Sequence, residues 1–134
     1  MMTILAVYGT LKKGFYNHDY LMKEATYIGK AILSPETVLY NLGRYPGLKL
    51  EEPSEDTGVE VELYEVTKPQ LDRLDRFEGH PNLFKRVEVT IDSFEIAEEP
   101  SWDESKEALK MKKAQVYLYN QPVHGKKRLG KVYL

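Results

Sequence analysis

Alternating apolar and polar positions predict that much of the chain forms β-strands. The clearest pattern covers residues 58–66, where Val59, Val61 and Leu63 share one face and alternate with glutamates. Other apolar runs predict strands at residues 3–8, 25–33, 37–41, 48–50, 86–91 and 114–119. The strands at 25–33 and 37–41 are expected to pair with each other around the turn at Ser34-Pro35.

Helical signals predict one well-defined helix and two short ones. Thr67 has the residue type of an N-cap, Gln70 completes a capping box, and Gly79 has the residue type that ends helices. A short helix over residues 17–23 is expected to be capped by its asparagine, with its tyrosine and leucine turned inward. A serine and a glutamate can cap another over residues 101–111. Strands that alternate with so few central helices predict an α+β domain with a curled sheet.

The second half of the chain contains an acidic stretch and, after it, a basic C-terminal segment. Residues 92–107 carry seven acidic residues against one lysine, a pattern typical of a solvated excursion. From Asn120 onward there are four basic residues and no acidic one. We therefore predict a domain over residues 1–120 and a loosely held basic C-terminal tail over residues 121–134.

The composition is that of one globular domain. The chain has 134 residues, 42% of them hydrophobic, which is enough for a single core and too short to expect two. A net charge of -2 gives no electrostatic reason to expect nucleic acid or a membrane surface as a partner. The sequence has no cysteine, no signal-peptide pattern and no apolar run that could span a bilayer. A cytoplasmic protein fits these properties best.

The main predicted helix ends on a glutamate with the features of a proton-transfer group. Glu78 lies on the same helical stripe as Leu71 and Leu74, so its carboxylate projects from the apolar face. Partial burial and the negative end of the helix dipole both disfavour its ionisation and are expected to raise its pKa. We therefore predict that Glu78 is a catalytic acid/base. The alternative is a glutamate that swings clear of the apolar face at a frayed helix end.

A glycine-bounded loop follows the first predicted strand. The spacing of Gly9 and Gly14 is that of a phosphate-binding loop, but Phe15 and Tyr16 stand where that motif needs lysine and serine or threonine. The loop therefore does not fit a nucleotide site. Its backbone amides can still hold a smaller anion, with Gly9 supplying an unusual backbone conformation. A plain strand-to-helix turn is the alternative.

The histidines do not predict a metal site. His18, His80 and His124 lie far apart, without the paired spacing of zinc ligands, and are expected to be exposed or capping residues. No Gly-x-Ser-x-Gly motif accompanies them. We expect neither a metal nor an organic cofactor.

Five ordered motifs resemble those of a known family. They are Val7-Tyr8-Gly9-Thr10-Leu11, Asn17-His18, Tyr45-Pro46-Gly47, Leu74-Asp75-Arg76-Phe77-Glu78-Gly79 and Phe84-Lys85-Arg86-Val87. Their order and spacing resemble the γ-glutamylcyclotransferase-like family, which includes the γ-glutamylamine cyclotransferases and the plant AIG2-like proteins. The match runs from about residue 3 to residue 119. The acidic stretch and the basic tail have no counterpart in it.

The resemblance implies a fold, a reaction and a set of site residues. The fold would be a small mixed β-barrel of five to seven strands flanked by short helices. The reaction would cyclise a small γ-glutamyl amine or amide to 5-oxoproline and release the free amine, with Glu78 as acid/base. The expected substrate-binding residues are Tyr8, Gly9, Thr10, Leu11, Phe84 and Tyr117. Phe84 departs from the tyrosine common in the family, which puts one substrate hydrogen bond in question.

Two other classes of function stay open at this point. The domain could be a catalytically silent module that binds a metabolite or a peptide end, an interpretation that the Phe84 departure favours. It could also be a small nucleic-acid-binding barrel that uses Tyr117, Tyr119 and the basic tail. The salt dependence of binding would separate these classes, because affinity for nucleic acid falls steeply with ionic strength.

Overall fold

The computed structural model describes residues 2–134, which form seven strands and three helices. In chain order these are β1 (Met2–Val7), α1 (His18–Leu21), β2 (Thr26–Leu33), β3 (Thr37–Asn41), β4 (Pro46–Leu50), β5 (Glu60–Thr67), α2 (Lys68–Glu78), β6 (Phe84–Ile96), α3 (Asp103–Lys110) and β7 (Lys113–Tyr119). Every strand predicted from the apolar pattern is present. The bounds of β6 differ most, because this strand continues into the acidic stretch.

Five of the strands close into a barrel. They are hydrogen-bonded in the order β1-β5-β2-β6-β7, and a parallel contact between Leu5 and Gln115 joins β1 to β7. Strands β4 and β3 extend the sheet beyond β7, and β4 runs parallel to β7. The other pairings are antiparallel. The predicted mixed β-barrel flanked by short helices is confirmed.

The barrel wall is buried on both faces where α1 and α2 cover it. On β1 and β5, Ile4 and Leu63 belong to one core cluster, whereas their neighbours Leu5 and Tyr64 belong to a second cluster with Leu74 of α2. Successive strand residues point to opposite faces, so the two clusters lie on the two sides of the wall. Full burial of a leucine such as Leu74 stabilises the fold by about 1.5–3 kcal/mol.

The predicted pairing of β2 with β3 is wrong. Both strands form where expected, but β2 is hydrogen-bonded to β5 on one side and to β6 on the other, so it has no free edge. At the turn between them, the Thr37 amide and hydroxyl both donate to the Ser34 carbonyl oxygen. Strand β3 then leaves the barrel and pairs with β4 instead.

The acidic side chains of residues 92–107 are exposed as predicted, but the stretch is part of the fold and not an excursion from it. Strand β6 extends through Ile96, and α3 follows with Ser105 and Leu109 buried. The predicted serine cap is also wrong, because the N-cap of α3 is Trp102 and its side chain makes no capping bond. The buried carboxylate of Glu65 in β5 instead accepts hydrogen bonds from the amides of Ser101 and Trp102, each at 3.2 Å. A carboxylate at a helix N-terminus satisfies free amides and complements the helix dipole.

The first helix is shorter than predicted. It spans only His18–Leu21, and the side chain of Asn17 does not cap it. Leu21 is buried as expected, but Tyr20 is exposed. A single helical turn can present only part of its circumference to the core, which leaves no room for both side chains.

The basic tail lies against the barrel rather than forming the loosely held arm that its composition predicted. The Glu60 amide donates to the Lys131 carbonyl oxygen at 2.7 Å. The Lys12 ammonium donates to the Tyr133 carbonyl oxygen at 2.7 Å, and the Tyr133 ring packs against Phe15 with centroids 5.2 Å apart. These contacts hold the tail beside the loop that follows β1. The division of the chain at residue 120 stays a prediction.

Candidate active site

A cavity of about 340 Å³ opens beside the end of β1. Its walls come from the loop after β1, the C-terminal end of α2 and the first residues of β4 and β6. Its lining includes all seven residues predicted for the site, namely Tyr8, Gly9, Thr10, Leu11, Glu78, Phe84 and Tyr117. The volume is near the lower end of the range of about 300–1,000 Å³ for small-molecule sites. The structure brings the predicted residues together, while their individual roles stay predictions.

Helix α2 fixes Glu78 through signals at its two ends. The Thr67 hydroxyl accepts from the Gln70 amide at 3.3 Å, and the Gln70 side chain accepts from the Thr67 amide at 3.0 Å. This is the predicted capping box. At the other end Gly79 has φ 67°, and its amide and that of His80 donate to carbonyl oxygens of the last turn. This Schellman arrangement ends the helix immediately after Glu78.

The Glu78 carboxylate borders the cavity without a hydrogen-bond donor of its own. Burial raises its pKa from 4.5 to about 7. No donor or positive charge among residues 2–134 offsets that effect. Its place in the last turn of a helix acts in the same direction, because the dipole there is negative. A carboxyl group with this pKa is present in both ionisation states near neutral pH and can accept and return a proton.

In the loop after β1, the backbone carbonyl oxygens and the backbone amides differ in their hydrogen bonding. The carbonyl oxygens of Gly9, Thr10 and Leu11 accept from the Lys12 amide, the Asn17 amide and the His18 ring respectively. Within the described residues, the amides of the same three residues have no acceptor. Three successive amides in a cavity wall can satisfy a carboxylate or an oxyanion.

Gly9 is required by close packing rather than by the unusual backbone conformation that we expected. It does not have a positive φ. A Cβ atom at this position would instead lie 2.9 Å from Cγ and 3.0 Å from Cδ of Pro46. Because both residues line the cavity, any side chain at position 9 would push its walls apart.

The hydroxyls of the two predicted site tyrosines, Tyr8 and Tyr117, form hydrogen bonds within the protein. The Tyr8 hydroxyl donates to the Tyr117 carbonyl oxygen at 2.7 Å and accepts from the Leu48 amide at 3.2 Å. The Tyr117 hydroxyl donates to Asp75 at 2.6 Å. Burial, and to a smaller extent the charge of Glu78, raises the pKa of Tyr8, so this hydroxyl stays protonated. Tyr117 is buried and is therefore not available to stack on a nucleic-acid base, contrary to the nucleic-acid hypothesis.

An ion pair behind the cavity was not predicted. Arg86 of β6 donates to both oxygens of Asp75 in α2, at 2.9 Å from Nε and 3.0 Å from Nη2. Burial alone would raise the pKa of Asp75, but the hydrogen bonds from Arg86 and Tyr117 and the charge of Arg86 bring it below its ordinary value. This network ties the last turns of α2, and thus Glu78, to strands β6 and β7.

The outer part of the cavity is apolar and was also not predicted. It is lined by Tyr16, Tyr45, Phe77 and Leu83 in addition to Phe84. Tyr45 and Phe77 belong to the family-like motifs, but nothing in the periodicity of the sequence indicated that they would face a cavity. Among residues 2–134 no group of three or more histidine, cysteine or acidic side chains could hold a metal ion. No helix in that range has the length and apolar character needed to cross a membrane.

Phe84 is buried in the cavity wall, with its ring 6.0 Å from that of Tyr45 and 5.4 Å from that of Tyr119. We expect Phe84→Tyr to raise substrate affinity about threefold, because one neutral hydrogen bond contributes about 0.5–1.5 kcal/mol. The Michaelis constant of the variant for a γ-glutamyl amide, the substrate class that the sequence resemblance implies, would measure this effect. An unchanged or weaker affinity would show that position 84 serves only in packing.

Comparison with known proteins identifies the class to which this barrel and its cavity belong. The model of the family described as "Gamma-glutamyl cyclotransferase, AIG2-like" matches residues 5–133. The chain therefore belongs to this family and is an enzyme of the γ-glutamylcyclotransferase type. The match includes the acidic stretch and most of the basic tail, which corrects our expectation that these segments have no counterpart.

Individual relatives agree with this assignment. A provisionally named γ-glutamylcyclotransferase of Methanocaldococcus jannaschii is 35% identical over 91 residues, which are 67% of this chain and 72% of that protein. The γ-glutamylaminecyclotransferase of Rattus norvegicus is 33% identical over 96 residues, 67% of this chain and 64% of that protein. The crystal structure of an AIG2-like protein from Mus musculus superposes with a TM-score of 0.73 and 25% identity, over 99% of this chain and 88% of that one.

Proposed function

We propose that this protein converts a γ-glutamyl amine or amide into 5-oxoproline and a free amine, with Glu78 as the single general acid/base. One observation carries the proposal. The cavity combines a carboxyl group whose pKa is about 7 with a loop whose three successive amides lack acceptors. Family membership supports the same reaction.

The substrate supplies its own nucleophile. The α-amino nitrogen can reach the γ-carbonyl carbon, and its attack closes a five-membered ring. Ionised Glu78 removes a proton from the α-ammonium group, and the nitrogen then forms the new C–N bond. When the original amide bond breaks, protonated Glu78 gives the proton to the departing nitrogen. After the attack the α-nitrogen gives a second proton to water, and the released neutral amine takes one up from water to become an ammonium ion, so the protons balance.

The enzyme then has to orient the substrate and stabilise developing charge. The amides of residues 9–11 are suited to the α-carboxylate or to the oxyanion on the γ-carbon. Holding the substrate in the folded conformation that ring closure requires removes part of the entropic cost of the reaction. The hydroxyls of Tyr8 and Tyr117 would not contact the substrate in this scheme, because each already has protein partners. Their part would be to shape the wall.

The test is a screen of γ-glutamyl amides with 5-oxoproline release as the readout. We expect release that depends on enzyme concentration, together with one equivalent of free amine. Binding of several amides without any release would favour the silent binding module. Release of free glutamate in place of 5-oxoproline would show hydrolysis and would contradict the cyclisation mechanism.

A further inference from the structure

The hydrogen-bonding groups and the large apolar side chains of the cavity wall come from different parts of the chain. The loop of residues 9–11 and the neighbouring Asn17 supply polar groups. The C-terminal end of α2 supplies Phe77 beside Glu78, and Leu83 follows closely because its amide donates to the Gly79 carbonyl oxygen at 3.0 Å. Glu78 therefore lies beside an apolar group formed by Phe77 and Leu83, which we call the apolar end.

Glu78 is the only acidic or basic residue that the described chain contributes to the cavity lining. Among residues 2–134, no cationic side chain lines it to pair with a carboxylate on the departing amine, and no second acid lines it to pair with an additional ammonium group. Arg44 and Arg76 are sequence neighbours of the lining residues Tyr45 and Phe77. Both arginines are exposed, and neither lines the cavity. A charged group bound in this part of the cavity would lose part of its solvation without gaining a partner.

The apolar end is also incompletely covered. Phe77 keeps 47% of its surface exposed and Leu83 keeps 40%. Single exposed apolar residues are ordinary, but these two adjoin the mouth of one cavity together with the exposed ring of Tyr16. A ligand that covered them would remove apolar surface from water, which favours binding in proportion to the area.

From this geometry we infer that the amine released by the enzyme carries an uncharged apolar group, alkyl or aromatic, which packs against Phe77 and Leu83. The inference rests on the proposed function. If the γ-glutamyl carboxylate is held by the loop, ring closure places the departing nitrogen near Glu78, and the group attached to that nitrogen then extends toward the apolar end. The residues at that end would select the amine without taking part in proton transfer.

A set of amides that differ only in the amine tests this specificity. The set contains γ-glutamyl methylamide, benzylamide and isoamylamide, together with γ-glutamylglycine and the monoamide of diaminobutane. We expect kcat/KM for the two apolar amides to exceed that for the methylamide by about tenfold, a typical discrimination for apolar groups in a pocket. The two charged amines should fall below the methylamide. Equal or higher values for either charged amine would overturn the inference but not the proposed function, whereas release from none of the five would overturn both.

A substitution tests whether Phe77 is responsible for the preference for apolar amines. Phe77→Ser removes an exposed ring, so the fold should be kept, and we expect it to lower kcat/KM for the benzylamide about tenfold more than for the methylamide. Met111→Ser is the matched control, because Met111 is an apolar residue that is 59% exposed and lies outside the cavity. It should leave both values unchanged. Equal losses for the two amides in the Phe77 variant would show that the ring does not contact the amine.

Discussion

Replacing Glu78 with glutamine should lower kcat for 5-oxoproline release by about 10² to 10⁴, the usual cost of losing a general acid/base. Glutamine keeps the shape and most of the hydrogen-bonding capacity of the side chain but cannot exchange a proton. Substrate binding should therefore be retained, which equilibrium binding of a γ-glutamyl amide can measure. The matched control is Glu107→Gln, because Glu107 is also a glutamate near the end of a helix but is exposed and remote from the cavity. Activity of the Glu78 variant within roughly threefold of the parent, far less than the expected loss, would refute the acid/base role.

The same variant should change how stability depends on pH. A folded-state pKa of about 7 against an ordinary value of 4.5 means that the folded protein holds more protons than the unfolded chain between these values. Glu78 therefore lowers the free energy of unfolding as pH rises through this interval, by at most about 3 kcal/mol. Since the carboxylate borders an open cavity, we expect about 1–2 kcal/mol. Glu78→Gln should match the parent at pH 4 and be more stable by this amount at pH 8.

Activity should follow the same ionisation. Only ionised Glu78 can take the first proton, so kcat/KM should rise with pH through about 7. The residual activity of the glutamine variant should lack that inflection. Retention of the inflection in the variant would assign it to the substrate or to another group.

Local signals explain why α2 and Glu78 could be predicted from the sequence. The capping box spans four residues at the start of α2, and Gly79 follows the last residue of the helix. The apolar stripe that includes Glu78 lies between these two signals. Each signal acts within a few residues. The strands were predictable for the same reason, since alternation is a property of the segment itself.

The errors arose where a distant segment decides the outcome. Helix α3 receives its capping acceptor from Glu65, which is 36 residues away from Ser101, so the local serine pattern had no role. The pairing of β2 depends on β5 and β6, which occupy both of its edges. The short turn after β2 favours a hairpin, but it carries no information about the distant strands that pair with β2.

Asp75 could have been found. It follows Leu71 at i+4 and precedes Glu78 by three residues, so it lies on the stripe that α2 buries. An acidic residue on such a stripe either gains a partner or has a raised pKa, as Glu78 has, because an unpaired buried charge is strongly unfavourable. The identity of that partner could not be predicted. Arg86 alternates with apolar residues along its strand, a pattern that predicts a solvent-exposed side chain.

The Asp75 pair should dominate the stability of the site. Replacing Asp75 with asparagine removes the charge and turns an amide N–H toward the guanidinium of Arg86. Breaking a buried pair costs about 3–5 kcal/mol, and the residual exposure of Arg86 and Asp75, 24% and 17%, reduces our expectation to about 2–4 kcal/mol. Urea unfolding at neutral pH measures this loss. The difference from the parent should shrink as pH falls through the lowered pKa of Asp75, because protonation then removes the same charge in the parent.

Asp72→Asn on the same helix is the matched control for this effect. Asp72 also forms an ion pair, with Lys68 at 3.0 Å, but that pair is exposed to solvent. Its loss should cost no more than about 0.5 kcal/mol. If the two variants lost stability equally, Asp75 would be an ordinary surface charge, and the turn that carries Glu78 would have to be held by the helix cap and the packing of α2 alone. If the Asp75 variant loses several times more, Arg86 and Tyr117 act through Asp75 to fix the end of α2, and with it the carboxylate that the proposed chemistry requires.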